Sequence, residues 1–70
     1  MKNIQAEVRI SRNGEYENTE TYEVQIPKNV SDEVEAIMNA IRPLIKLEFE
    51  GDEDFENGSI DWELFDWKIN

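Results

Sequence analysis

Seventy residues, 17 acidic and 7 basic side chains, a net charge of −10 and no cysteine or histidine leave room for one domain with one hydrophobic core. Disulfides and thiolate metal sites cannot reinforce that core. The charge opposes binding to nucleic-acid phosphates and to acidic lipid surfaces, and the commonest general base and thiol nucleophile of enzymes are both missing.

Ile4, Ala6, Val8 and Ile10 alternate with Gln5, Glu7, Arg9 and Ser11, the period of a strand with one face on a core. Asn13-Gly14 signals a turn, and Tyr22, Val24 and Ile26 alternate until Pro27, which predicts a hairpin. A two-residue turn would set Ile10 against Glu17 and mismatch the apolar faces. The expectation is therefore a three-residue loop with Gly14 in a bulge, or a longer polar tip over Arg12 to Asn18, with the longer tip favoured.

Ser31 followed by Asp32 and Glu33 reads as a helix cap with two acids at the positive end of the dipole. Val34, Ile37, Met38 and Ile41 then recur at helical spacing, and Pro43 predicts a stop near Ile41 or Arg42, or at most one further distorted turn. Ile45, Leu47 and Phe49 return to the strand period. Gly51 to Gly58 reads as an acidic loop. In the last segment, Ile60, Trp62 and Leu64 alternate and then shift phase to Phe65, Trp67 and Ile69, a change of parity that predicts a β-bulge at Leu64-Phe65.

The expected architecture is α+β, a small single domain over residues 1–70 in the order ββαββ: an antiparallel sheet with one helix packed on one face. Val34, Ile37, Met38 and Ile41 are expected to face Ile4, Val8, Val24, Ile26 and Leu47. No apolar run approaches the ~20 residues of a membrane span, and Met1 to Gln5 lacks the apolar core of a signal peptide. The expected setting is cytoplasmic, without a membrane partner.

Catalysis by side chains is not expected: acids are too plentiful for any carboxylate pair to stand out, and a chain this short builds a cleft with difficulty. No cofactor is implied. Asp52, Asp54, Glu56 and Glu63 match positions 1, 3, 5 and 12 of a calcium loop, but Asn57 occupies the position that needs glycine and the flanks read as strands. That leaves at most a weak calcium-binding module and no dedicated metal site. Of the aromatic residues, Phe65 and at least one of Trp62 and Trp67 are expected in the core rather than on a partner-binding surface.

The charge is unevenly placed. Residues 48 to 66 hold Glu48, Glu50, Asp52, Glu53, Asp54, Glu56, Asp61, Glu63 and Asp66 and no base, whereas residues 1 to 47 hold eight acids and six bases. Were residues 45–49 a strand beside 60–64, Glu48 and Glu50 would sit next to Asp61 and Glu63 on one face, a repulsive arrangement for which some compensation is expected. These nine acids are the candidate partner-binding set. A carboxylate lattice of this kind can imitate the field of nucleic-acid phosphates and fill a basic groove.

In size, charge and compactness the chain resembles the small acidic inhibitors that bacteriophages and mobile elements direct against host nucleases, including anti-restriction and anti-CRISPR proteins. The resemblance implies a nuclease inhibitor acting as a DNA mimic on a basic nucleic-acid-binding protein, with no direct contact to nucleic acid. The alternative is a general protein-interaction or structural subunit whose acids are solvated surface. Repulsion between copies predicts a monomer or a weak homodimer that tightens with salt.

Overall fold

The alternation at the amino terminus extends into two long strands, β1 (Lys2–Arg12) and β2 (Glu15–Ile26), in the computed structural model, which describes residues 1–70. Their connection is a two-residue turn. Asn13 (φ 53°) and Gly14 (φ 80°) both take positive φ, the geometry that matches the right-handed twist of a hairpin, and Arg12 pairs with Glu15. The expected longer tip is thus not formed. Parity is restored beyond the turn instead: Ser11 pairs with Tyr16 but Ile10 pairs with Asn18, which leaves Glu17 as the extra residue of a bulge.

The chain then enters a helix, α1 (Glu33–Glu48). Its cap is Asp32, one residue beyond the expected Ser31, with Oδ1 accepting the Glu35 backbone N–H at 3.1 Å. The stop expected at Pro43 is overturned, because the helix runs through it to Glu48. Ile37, Ile41 and Ile45 recur every four residues and all are buried, while Pro43 stands on the solvent side. An interior proline costs about 3 kcal/mol. Burial of Ile45 returns about 1.5 to 3 kcal/mol, and packing of Phe49 against the core adds to it.

Residues 45–49 are therefore not a strand, and the ββαββ order is corrected. A short helix α2 (Glu53–Glu56) interrupts the expected acidic loop, and the last strand is β3 (Ile60–Ile69), so the order is ββααβ. The α+β class stands: three antiparallel strands, in spatial order β2-β1-β3, with one main helix on one face. Phe49 and Phe55 stack with ring centroids 5.7 Å apart and join α2 to the end of α1.

The bulge expected in the last strand is present. Val8 pairs with Leu64 and Glu7 with Asp66, leaving Phe65 as the extra residue. Ile60, Trp62, Leu64, Trp67 and Ile69 thereby share the face of Ile4, Ala6, Val8 and Ile10, so the two tryptophans lie on the same face. Coverage of that face is uneven. The helix lies closest to β2, where Val24 and Ile26 are buried, and its isoleucines share one core with Ile4, Ala6, Val8 and Ile10 of β1, but Trp67 is 36% and Ile69 59% exposed on β3. Of the residues expected to complete the core, Val34 is partly exposed and Leu47 is 68% exposed on the outer side of α1. No helix is long and apolar enough to cross a membrane.

Candidate functional site

The loss of the expected strand at residues 45–49 breaks up the carboxylate lattice. Glu48 ends α1 and accepts a hydrogen bond from the Tyr22 hydroxyl on β2. Burial first, and then the Glu48 carboxylate, push the Tyr22 hydroxyl above its ordinary range. Glu50 lies in the turn after α1, and Glu53 and Glu56 are exposed on α2. None of these four stands beside Asp61 or Glu63 on a sheet.

Asp52 and Asp54 meet a base instead. Arg12, at the end of β1, grips Asp52 with two bonds, Nη1 to Oδ1 at 3.0 Å and Nη2 to Oδ2 at 2.9 Å, and reaches Asp54 Oδ2 at 2.8 Å. Its Nε donates to Glu17, the bulge residue of β2, at 2.7 Å. Asp52 also caps α2 by accepting from the backbone N–H groups of Asp54 and Phe55. The Arg12 hydrogen bonds, with those backbone donors, hold the Asp52 carboxyl below its ordinary value against a smaller opposing effect of burial. This cluster fastens the loop to the hairpin. The carboxylates of the calcium-loop pattern are divided between it and the sheet, with Asp52 and Asp54 on Arg12, Glu56 on α2 and Glu63 on β3.

Three of the nine acids remain together. Asp61, Glu63 and Asp66 project from β3 on the face of the sheet that no helix covers, across from Ser11, Arg9 and Glu7 of β1. Asp61 and Glu63, two residues apart along a strand, are separated by ~7 Å. Glu7 and Asp66 are directly opposed like charges, so the repulsion expected from residues 48 and 50 exists at another pair. Lys68 and Arg9 are the bases of this part of the face. The Arg9 guanidinium lies 3.7 Å from the ring centroid of Phe65, which is 50% exposed there and does not enter the core as expected.

Trp62 packs on the core, whereas Trp67 lies at its margin and donates from Nε1 to Glu33 Oε1 at 3.3 Å. Lys2 Nζ bonds the other oxygen of Glu33 at 2.9 Å. Lys2 first and Trp67 second lower the Glu33 carboxyl below its ordinary value. Glu7, Arg9 and Lys68 are the charged members of the exposed face that the sequence did not single out, and Phe65 joins them there instead of the core. The outward parity of Glu7 and Arg9 on β1 was visible, but only the strand order β2-β1-β3 brings them beside β3.

No protein-family model matches the chain, and no curated protein or solved structure matches it significantly.

Proposed function

We propose that the chain is a small acidic protein-binding module, without catalytic activity, that occupies a basic nucleic-acid site on a nucleic-acid-handling protein. The observation that supports it is the uncovered sheet face, where Asp61, Glu63 and Asp66 of β3 project with Glu7 of β1. A β-sheet holds these carboxylates at fixed separations, so their field is presented without the entropy cost of ordering flexible chains. Such a field attracts a basic groove over long range and sets a fast, salt-sensitive association.

The functional set is therefore narrower than the nine acids of residues 48 to 66. Asp52 and Asp54 are held by Arg12, whose single charge offsets part of theirs, and Glu48 is engaged by the Tyr22 hydroxyl at the end of α1, while Glu50, Glu53 and Glu56 are solvated charge away from the sheet face. Inhibition of a nuclease, as the resemblance to phage-encoded acidic proteins implies, is one form that occupation of such a groove takes.

The test is affinity capture from a host-cell lysate at low salt, followed by elution with double-stranded DNA. Partners that release on DNA addition, and that fail to bind the Asp61→Lys, Glu63→Lys double variant, are the expected result. Retention that DNA does not disturb would place the contact outside a nucleic-acid site and refute the proposal.

A further inference from the structure

We infer that the free edge of β3 accepts an extended segment of the partner as a fourth strand, and that this segment alternates apolar and basic residues. The inference rests on the protein-binding role proposed above and adds the way in which the partner is held.

Backbone register fixes which groups are available. Asn13 N–H bonds Ser59 O and Asn70 N–H bonds Asn3 O, at the two ends of the β1–β3 ladder. Hydrogen-bonded pairs alternate along an antiparallel ladder, so Asp61, Glu63, Asp66 and Lys68 turn their backbone groups to β1. Trp62 and Leu64 consequently turn their N–H and C=O groups to the unpaired edge. Trp67 N–H is turned the same way but is bonded to its neighbour Asp66 Oδ1 at 2.9 Å.

The two sides of that edge differ in chemistry. Toward the helix lie apolar groups that the helix leaves uncovered, Trp67 and Ile69 of β3, both more than a third exposed. On the opposite side lie Asp61, Glu63 and Asp66. A strand laid along β3 presents alternate side chains to these two sides, so its apolar residues would extend the covered face and its lysines or arginines would meet the carboxylates. A second copy of this chain is a poor occupant, because β3 against β3 sets the same acids against one another. The acids, the bulge at Phe65 and the Asp66 bond to Trp67 N–H all restrict promiscuous pairing at a strand edge, and only the acids are reversed into an attraction by a basic partner.

The probe is a capped peptide of alternating valine and lysine, matched in length to β3 and followed by tryptophan fluorescence and backbone amide shifts in the intact chain. Two controls keep its charge: one has the valines and lysines in separate blocks, and one carries N-methyl groups on alternate backbone nitrogens of the pairing edge. The alternating peptide should bind at least about tenfold tighter than either control, with protection of the Trp62 and Leu64 amides from hydrogen exchange. Equal binding of all three peptides, no binding of any, protection confined to the β2 edge, or a tight dimer of the chain at low salt would each overturn strand addition. The Asp61→Lys, Glu63→Lys variant separates the two proposals. If it binds the alternating peptide unchanged while N-methylation still abolishes binding, strand pairing stands, and both the basic character of the partner and the acidic-face function fail.

Discussion

The carboxylates around Arg12 and those on β3 come from one uninterrupted acidic stretch, yet they sit in opposite surroundings. Asp52 and Asp54 share a guanidinium that ties α2 to the hairpin, and the bidentate contact to Asp52 has the geometry of a strong ion pair. Asp61, Glu63 and Asp66 project from an edge strand into solvent, where Glu7 faces Asp66 and Arg9 faces Glu63 across the ladder while its guanidinium lies over Phe65. Carboxylates of one composition therefore serve attachment in one place and remain available in the other. The apolar residues divide along the same line, with α1 closing over β1 and β2 and leaving the far end of β3 open.

That division is tested most strongly with one substitution made on each side. Ile45→Ala, in the buried stripe of α1, should destabilise the fold by about 2 to 5 kcal/mol. Ile69→Ala, at the open end of β3, should change stability by no more than about 0.5 kcal/mol. Chemical denaturation of both variants checks the pair, and similar losses would mean that the open end of β3 belongs to the core after all. The Ile45 result also tests the passage of α1 through Pro43.

A smaller effect is expected at acid pH. The Asp52 and Glu33 carboxyls lie below their ordinary values in the folded chain. A carboxyl depressed by folding adds stability that is fully present above its unfolded value, about 4, and is lost as pH falls through the folded value. Asp52→Asn should therefore lower the unfolding temperature at pH 7, and the difference from wild type should shrink as pH falls below about 4. Measuring the difference separates this loss from the relief of overall repulsion, which both proteins share. Asp61→Asn, without a guanidinium partner, should show no such loss at pH 7. A pH-independent deficit in Asp52→Asn would assign the Asp52 contribution to the bidentate geometry of its contact with Arg12 rather than to its charge, since asparagine keeps the cap of α2.

The smallest expected effect is a gain. Glu7→Gln removes a like charge facing Asp66 and should stabilise the fold by a few tenths of a kcal/mol, about the size of an exposed pair interaction, and the gain should disappear in high salt. A loss of stability would show that Glu7 makes a favourable contact with Lys68 or Arg9 that outweighs Asp66.

Much of the fold was legible from residue parity. The alternation of Ile4 to Ile10 and of Tyr22 to Ile26 gave the hairpin strands, and the phase change at Leu64-Phe65 gave the bulge, because both signals are local and have period two. Ile45 and Phe49 were ambiguous. They fit a strand with Leu47 and equally extend the spacing of four set by Ile37 and Ile41, and Pro43 favours the strand by local rules alone. A solvent-side Pro43 is tolerated because the lost donor leaves a carbonyl that water can reach, while the opposite side of the helix remains packed. The hairpin register was missed for a related reason: parity was repaired at Glu17 rather than in the turn.

The same ambiguity governs the candidate site. An extra strand would set Glu48 and Glu50 beside Asp61 and Glu63, whereas the residues that face Asp66 and Glu63, Glu7 and Arg9, are distant in sequence and depend on strand order. Arg12 was equally hidden, since its partners Asp52 and Asp54 lie about forty residues away. Alternation shows which way a side chain points, but not which strand lies next to it.

The central claim is that the acids of β3, and not total charge, carry partner recognition. The most direct measurement is the association rate constant of a captured partner with two variants of equal net charge, Asp61→Lys with Glu63→Lys on the sheet face and Glu53→Lys with Glu56→Lys on α2. Both pairs are exposed, so both variants should remain folded by circular dichroism. The β3 variant should associate at least about tenfold more slowly than wild type, and the α2 variant should stay within about twofold, at low salt where steering is strongest. Equal slowing of both would contradict the claim and leave the overall charge of −10 as the sole determinant of binding.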